Sequence, residues 1–200
     1  MFYYNQSIND NEKYKEESKD FSSILTEKSL KSRTIFISGE INQELAEKVC
    51  TKLLILEELS DEPIKIFINS QGGHVESADT IHDVIKFIKP KVIMIGTGWV
   101  ASAGITIYLA AEKENRYSLP NTRYMIHQPL GGFNGPATDI GIEAKEILRV
   151  RTRINNLISE ATNQPIEKVN KDTDRNYWLT STEALEYGLV NKIISKHSDL

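Results

Sequence analysis

The sequence predicts an α/β fold built on a mostly parallel sheet, from three observations. Short runs of branched apolar residues alternate with longer segments whose apolar residues recur at helical spacing. Glycine and proline mark the junctions between them. The run Val92 to Gly96 is apolar on both strand faces, as a strand buried in a parallel sheet is. Strands that alternate with helices imply parallel strands joined by right-handed crossovers.

Each element follows in order. Residues 1–21 are polar and charged with little apolar periodicity, which predicts a mobile arm. Thr34 to Ser38 reads as a strand closed by Gly39. Asn42 caps a helix to about Leu59, with Leu45, Val49, Leu53 and Leu56 on one face. Ile64 to Asn69 is a second strand. Ser70-Gln71-Gly72-Gly73 reads as a tight turn into a helix from Val75 to Ile88, which Pro90 stops. Val92 to Gly96 is the third strand. Tyr117–Leu119 and Tyr124–Ile126, either side of Pro120-Asn121, read as a hairpin-like pair. A glycine-bearing loop from Gln128 to Ala137 leads into a helix from Asp139 to about Thr162. Ile140, Ala144, Ile147, Ile154, Leu157 and Ile158 fall on its single apolar stripe. At roughly 24 residues it spans about 36 Å. It either projects towards another copy or lies across its own sheet. A short helix follows Pro165. Thr180 or Ser181 caps another, stopped by Gly188, and Leu189 to Ile194 is the last strand.

Two hundred residues suit one domain, or one domain with an appendage. A net charge of −4 with no basic cluster argues against nucleic acid as a partner. Cys50, the sole cysteine, precludes an intrachain disulfide and reads as a small buried apolar residue. The N-terminal segment has no apolar core of a signal peptide. The longest apolar run, about Val92 to Ala111, is broken by Gly96, Gly98, Ser102 and Gly104, so no membrane span is expected and a cytoplasmic location is the default.

The chemistry centres on Ser102 and His127. Ser102 sits among small residues at a strand-to-helix junction, and His127 ends an apolar strand before a glycine-rich loop. Serine becomes a nucleophile when a base takes its proton, and histidine is the usual base. A serine at a helix start is more often a cap, and a histidine at a strand end is more often a structural hydrogen bonder. Together they suggest a serine hydrolase. The surroundings are not the Gly-x-Ser-x-Gly elbow, since Ala101 and Ala103 flank the serine. Gly72-Gly73 offers backbone N–H groups for an anion, and the N–H of Ala103 is the obvious second donor of an oxyanion hole. Nucleotide-binding glycine motifs and metal-ligand spacings are missing.

Several motifs then converge. Asn69-Ser70-Gln71-Gly72-Gly73, Gly98 to Gly104, Arg123 to Gly132, Ala137-Thr138-Asp139-Ile140, Ala144 to Leu148 and Asp172-Thr173-Asp174-Arg175 resemble ClpP, the proteolytic subunits of the Clp ATP-dependent serine proteases. The resemblance runs from about Arg33 to Ile194. It implies a crotonase-like fold of stacked ββα units with a protruding handle helix. On it, residues 1–32 are an N-terminal axial arm and 33–200 the peptidase domain, with the handle at about 128–162. It further implies Ser102 as nucleophile, His127 as base, and Gly73 and Ala103 as oxyanion donors. Fourteen copies in two seven-membered rings, a polypeptide substrate and a hexameric AAA+ unfoldase are the implied partners. No cofactor is implied for this chain, since ATP is used by the unfoldase. Arg175 and Asp174 fall where family members link ring contacts to active-site order.

Three departures stand out. The family's catalytic aspartate position carries Asn176. An amide oxygen accepts the imidazole N–H but supplies no charge, and Asp-to-Asn in a chymotrypsin-like triad lowers turnover about 10⁴-fold. The expectation is a weak or conditional peptidase, with Asp172 or Asp174 as substitute charges. Gln71 stands where proline is common, which predicts a looser turn. The segment before Arg33 is more polar than in the family, which puts unfoldase docking in question. Two rival readings are a largely structural ring subunit that assembles with an active paralogue, and an acyl-CoA enzyme of the crotonase type.

Overall fold

The computed structural model describes residues 24–200, so the arm expected over residues 1–21 lies outside the described residues. Two compact units divide after Thr34. In the first, residues 24–31 form a helix, α1, within a stretch read from sequence only as polar. Leu25, Glu27, Lys28, Leu30 and Lys31 all favour helix, and Lys31 pairs with Glu27 one turn away at 2.6 Å.

The second unit is one seven-stranded sheet with helices packed on it. Its elements are β1 (Thr34–Ile41), α2 (Gln43–Leu59), β2 (Ile64–Gly73), α3 (Val75–Phe87), β3 (Val92–Ala101) and α4 (Ala103–Tyr108). After them come β4 (Arg116–Ser118), β5 (Arg123–Ile126), α5 (Ala137–Thr162), α6 (Ile166–Asp172), β6 (Tyr177–Thr180), α7 (Ser181–Tyr187) and β7 (Lys192–Ile193). The strands run in the order β1-β2-β3-β4-β7, with β5 joined to β3 and β6 joined to β5. The β2–β3, β3–β4, β3–β5 and β4–β7 pairs are parallel, as the alternating pattern requires. Ile66, Ile68, Met94 and Ile95 of the sheet, Leu53 and Leu56 of α2 and Ile81 of α3 are all fully buried. Each such side chain contributes about 1.5–3 kcal/mol on burial.

Local signals set the helix ends. Asn42 accepts the Leu45 N–H at 2.9 Å. Thr180 forms a capping box with Glu183, and Gly188 ends α7 in the left-handed region.

Several expectations change. Ser70 to Gly73 is no turn: β2 continues through it, with a register slip between Ile68 and Ser70. With its side-chain nitrogen turned towards Gly39 O and its oxygen towards Glu40 N, the Gln71 amide fits between them at 3.2 Å each. Tyr117–Ile126 is no hairpin. The chain sidesteps at Pro120-Asn121 and continues in one direction, so β4 runs beside Met94–Gly96 and β5 beside Trp99–Ala101. The apolar stripe of α5 is not continuous core: Ile158 is buried, whereas Ile140 and Ala144 are exposed, as are Ile142 and Leu148 beside the stripe. Cys50 is half-buried rather than buried, with Sγ 3.8 Å from Thr80 O, and burial raises its thiol pKa. The last strand shrinks to Lys192–Ile193, and β6 had no sequence signal strong enough to read.

Candidate active site

Strand β3 ends at Ala101, and the next residue adopts φ 55° and ψ −125°. That conformation is uncommon for a side-chain-bearing residue and costs about 1–3 kcal/mol. Two neighbours hold it. The Ser102 N–H donates to Met125 O at 2.9 Å, extending the β3–β5 ladder by one bond. Gly72 provides the space: a Cβ there would lie 2.6 Å from Ser102 Cβ and 2.8 Å from Ala101 O. Ser102 occupies the N-cap position of α4 but caps nothing. Its Oγ lies instead 2.7 Å from His127 Nε2.

His127 follows the end of β5, and Asn176 precedes β6. The antiparallel register pairs Ile126 with Tyr177, so the next position sets His127 opposite Asn176. Asn176 Oδ1 is 3.1 Å from His127 Nδ1. A carbonyl oxygen only accepts, so Nδ1 carries the proton and Nε2 is left to accept from the serine hydroxyl. Burial holds the imidazole pKa below its ordinary value, opposed in part by the Asn176 bond. The resting ring is therefore the neutral form that a base must be.

The two amides expected to face an oxyanion lie at the end of β2 and at the start of α4. Gly72 N–H donates to Ser70 Oγ at 3.0 Å, and His74 N–H donates to Ile41 O at 2.8 Å on the β1 side. Gly73 follows Gly72, whose Cα side faces Ser102 and the Ala103 nitrogen: a Cβ on Gly72 would lie 3.0 Å from Ala103 N. Ala103 opens α4, so its N–H has no intrahelical acceptor. A cavity of about 20 Å³ adjoins Ser102 and His127, walled by Val75, Ile105, Ile126, Pro129 and Ile154. A larger hollow of about 770 Å³ between α3 and α5 holds the Asp79–Arg153 ion pair and does not include Ser102.

The substitute carboxylates are engaged elsewhere. Asp172 binds Lys168 at 2.5 Å and the Tyr187 hydroxyl at 2.9 Å, and Asp174 pairs with Arg151 at 3.3 Å. The loop before Asn176 is nevertheless tied to the histidine strand, because Gln128 Nε2 donates to Asp174 O at 2.7 Å and Gln128 N–H donates to Thr173 O at 2.6 Å. Arg175 is exposed. Among the described residues, no group of His, Cys, Asp and Glu could hold a metal ion, and no helix is long and apolar enough to cross a membrane.

A serine on a strained turn, an imidazole in contact with its hydroxyl and a helix N-terminus beside both define the serine-hydrolase class of site. The sequence model of the Clp protease family matches residues 16–197, and the chain belongs to that family. The ATP-dependent Clp protease proteolytic subunit 3 of Rhizobium etli is 60% identical over 170 residues, 85% of this chain and 88% of that one. ClpP1 from Listeria monocytogenes is 65% identical and matches with a TM-score of 0.81, covering 88% of this chain and 99% of that chain. An asparagine-to-aspartate mutant of the same Listeria protein gives a TM-score of 0.83 at 66% identity, covering 87% and 98%. The chain is thus a peptidase of the Clp type with the fold of ClpP, and the acyl-CoA reading is not favoured.

Proposed function

We propose that this chain cleaves peptide bonds through an acyl-enzyme on Ser102. The observation that carries the reading is the continuous contact from Ser102 Oγ through His127 to Asn176, at 2.7 and 3.1 Å. His127 Nε2 takes the hydroxyl proton as Oγ adds to the scissile carbonyl. The N–H groups of Gly73 and Ala103 hold the developing oxyanion. The tetrahedral intermediate collapses, His127 protonates the leaving amine, and the carbonyl stays on Oγ as an ester. Water, deprotonated by His127, then attacks the ester and releases the carboxylate product.

Asn176 orients the imidazole without charge, so the imidazolium formed in both steps is less stabilised than beside aspartate. Turnover by a ring of this chain alone is accordingly weak. Family membership supports self-assembly into a ring and partnership with a Clp ATPase; two stacked seven-membered rings in the cytoplasm, fed by that ATPase, complete the reading. The same Asn176 supports the second reading, a subunit that works chiefly in mixed rings with an active paralogue. A covalent serine probe on the purified protein, with peptide hydrolysis and native mass measured together, tests both. Labelling at Ser102 with slow hydrolysis in an assembled ring supports the enzyme. An assembled ring that takes no label at Ser102 supports the structural role.

A further inference from the structure

The chain's two tryptophans, Trp99 on β3 and Trp178 on β6, stack with centroids 6.3 Å apart and planes 8° from parallel. Arg123, on the strand between them, lays its guanidinium carbon 4.2 Å above the Trp178 ring centre. All three are exposed, the indoles by 41% and 37%. Register puts the group on the active-site face. Trp99 pairs with Arg123, and Met125 pairs with Trp178. Residues two apart share a face, so His127 continues the Arg123–Met125 row and Asn176 continues the Trp178 row. At about 3.4 Å per residue, Trp178 stands roughly 7 Å along its strand from Asn176, and Arg123 roughly 13 Å from His127.

Two solvent-exposed indoles and a cation stacked on one of them are a costly surface to leave open beside a reaction centre. Stacking engages the face of a guanidinium and leaves its in-plane N–H groups able to donate. Among the described residues, Arg123 joins no ion pair. A fork already fixed by stacking loses less conformational entropy when it binds a planar anion.

We propose that Trp99, Trp178 and Arg123 form a substrate subsite that takes a carboxylate of the polypeptide, within about four residues of the scissile bond. The carboxylate is either an Asp or Glu side chain or a chain terminus, and the indoles cover the apolar stem that bears it. The inference rests on Ser102 being the reaction centre, but its test does not need turnover. In a Ser102→Ala protein, intrinsic fluorescence reports the two indoles directly. A capped peptide carrying Glu is titrated against its Gln counterpart, and an uncapped peptide against its C-terminal amide, at low and high salt. The expected result is about threefold to tenfold tighter binding of one carboxylate form, lost at high salt and lost in Arg123→Gln. Arg123→Lys, which keeps charge without the fork, is expected to retain part of it. Preference for the Glu peptide assigns a side-chain carboxylate, and preference for the uncapped peptide assigns a terminus. Equal affinity for every pair overturns the proposal. Native mass showing that Trp178→Ala breaks the assembly also overturns it, because the face then meets a second copy. Failure of the Ser102 reading shows separately, as absence of covalent labelling in the unmodified protein.

Discussion

The β3–β5–β6 corner and the N-terminal half of α5 make an instructive pair. Both contain apolar residues at regular spacing, and both adjoin the glycine-rich stretch after His127. In the corner, Ala101, Tyr124, Met125 and Ile126 are buried, and three strands fix one serine, one imidazole and one amide in contact. In α5, residues 137–146 are exposed throughout, although Ile140 and Ile142 lie among them. The same helix becomes part of the core only near its end, where Asn155 meets Asn170 and Thr173 and Ile158 is buried. Periodicity thus specifies a face, and what covers that face depends on what the rest of the chain, or another copy, brings to it.

The largest way to break this comparison is to remove the corner's chemistry without its structure. Ser102→Ala is expected to lower peptide turnover about 10⁴-fold or more, with the unfolding midpoint essentially unchanged, as hydrolysis and thermal scans will show. Next, the two ends of α5 are expected to respond oppositely. Ile158→Ala should cost about 2–4 kcal/mol in denaturant unfolding, whereas Ile142→Ser should change protomer stability by less than about 0.5 kcal/mol while lowering the native mass. Equal stability losses at both positions would show that the exposed half packs on its own chain. Asn176→Asp sharpens the corner further. The restored charge should raise turnover, by at most about 10⁴-fold, in a ring of unchanged mass, and unchanged turnover there would mean that imidazolium stabilisation does not limit the rate. The smallest effect is on pH. Catalysis needs the neutral imidazole, so turnover falls as pH drops through the His127 pKa. Burial places that acid limb below the ordinary value of 6.5, and Asn176→Asp should move it upward, because a carboxylate favours the protonated ring.

Much of the corner was legible because its chemistry is local. A serine among small residues, a histidine at a strand end and a double glycine are each readable where they stand. Asn176 was different. Its motif placed it through resemblance alone, and β6, which carries it to His127, is four residues long with three of them exposed. So short an edge strand shows neither alternation nor length. The hairpin reading of Tyr117–Ile126 failed for a related reason: the turn residues were correct, but a parallel partner on β3 was invisible to local pattern. The Trp99–Trp178–Arg123 group went unseen because its members come from three strands that only register aligns.

By itself, the sequence determined the alternation of strands and helices, the caps at Asn42 and Gly188, a cap at either Thr180 or Ser181, and the candidate pair Ser102 and His127, because spacing and residue type act over one or two turns of chain. Tertiary structure alone decided three things: the length of β2 and β3, the contact of His127 with Asn176, and the division of α5 into buried and exposed halves. Each of these depends on which strand lies beside which, and backbone hydrogen bonding between distant segments settles that pairing only when the whole sheet forms.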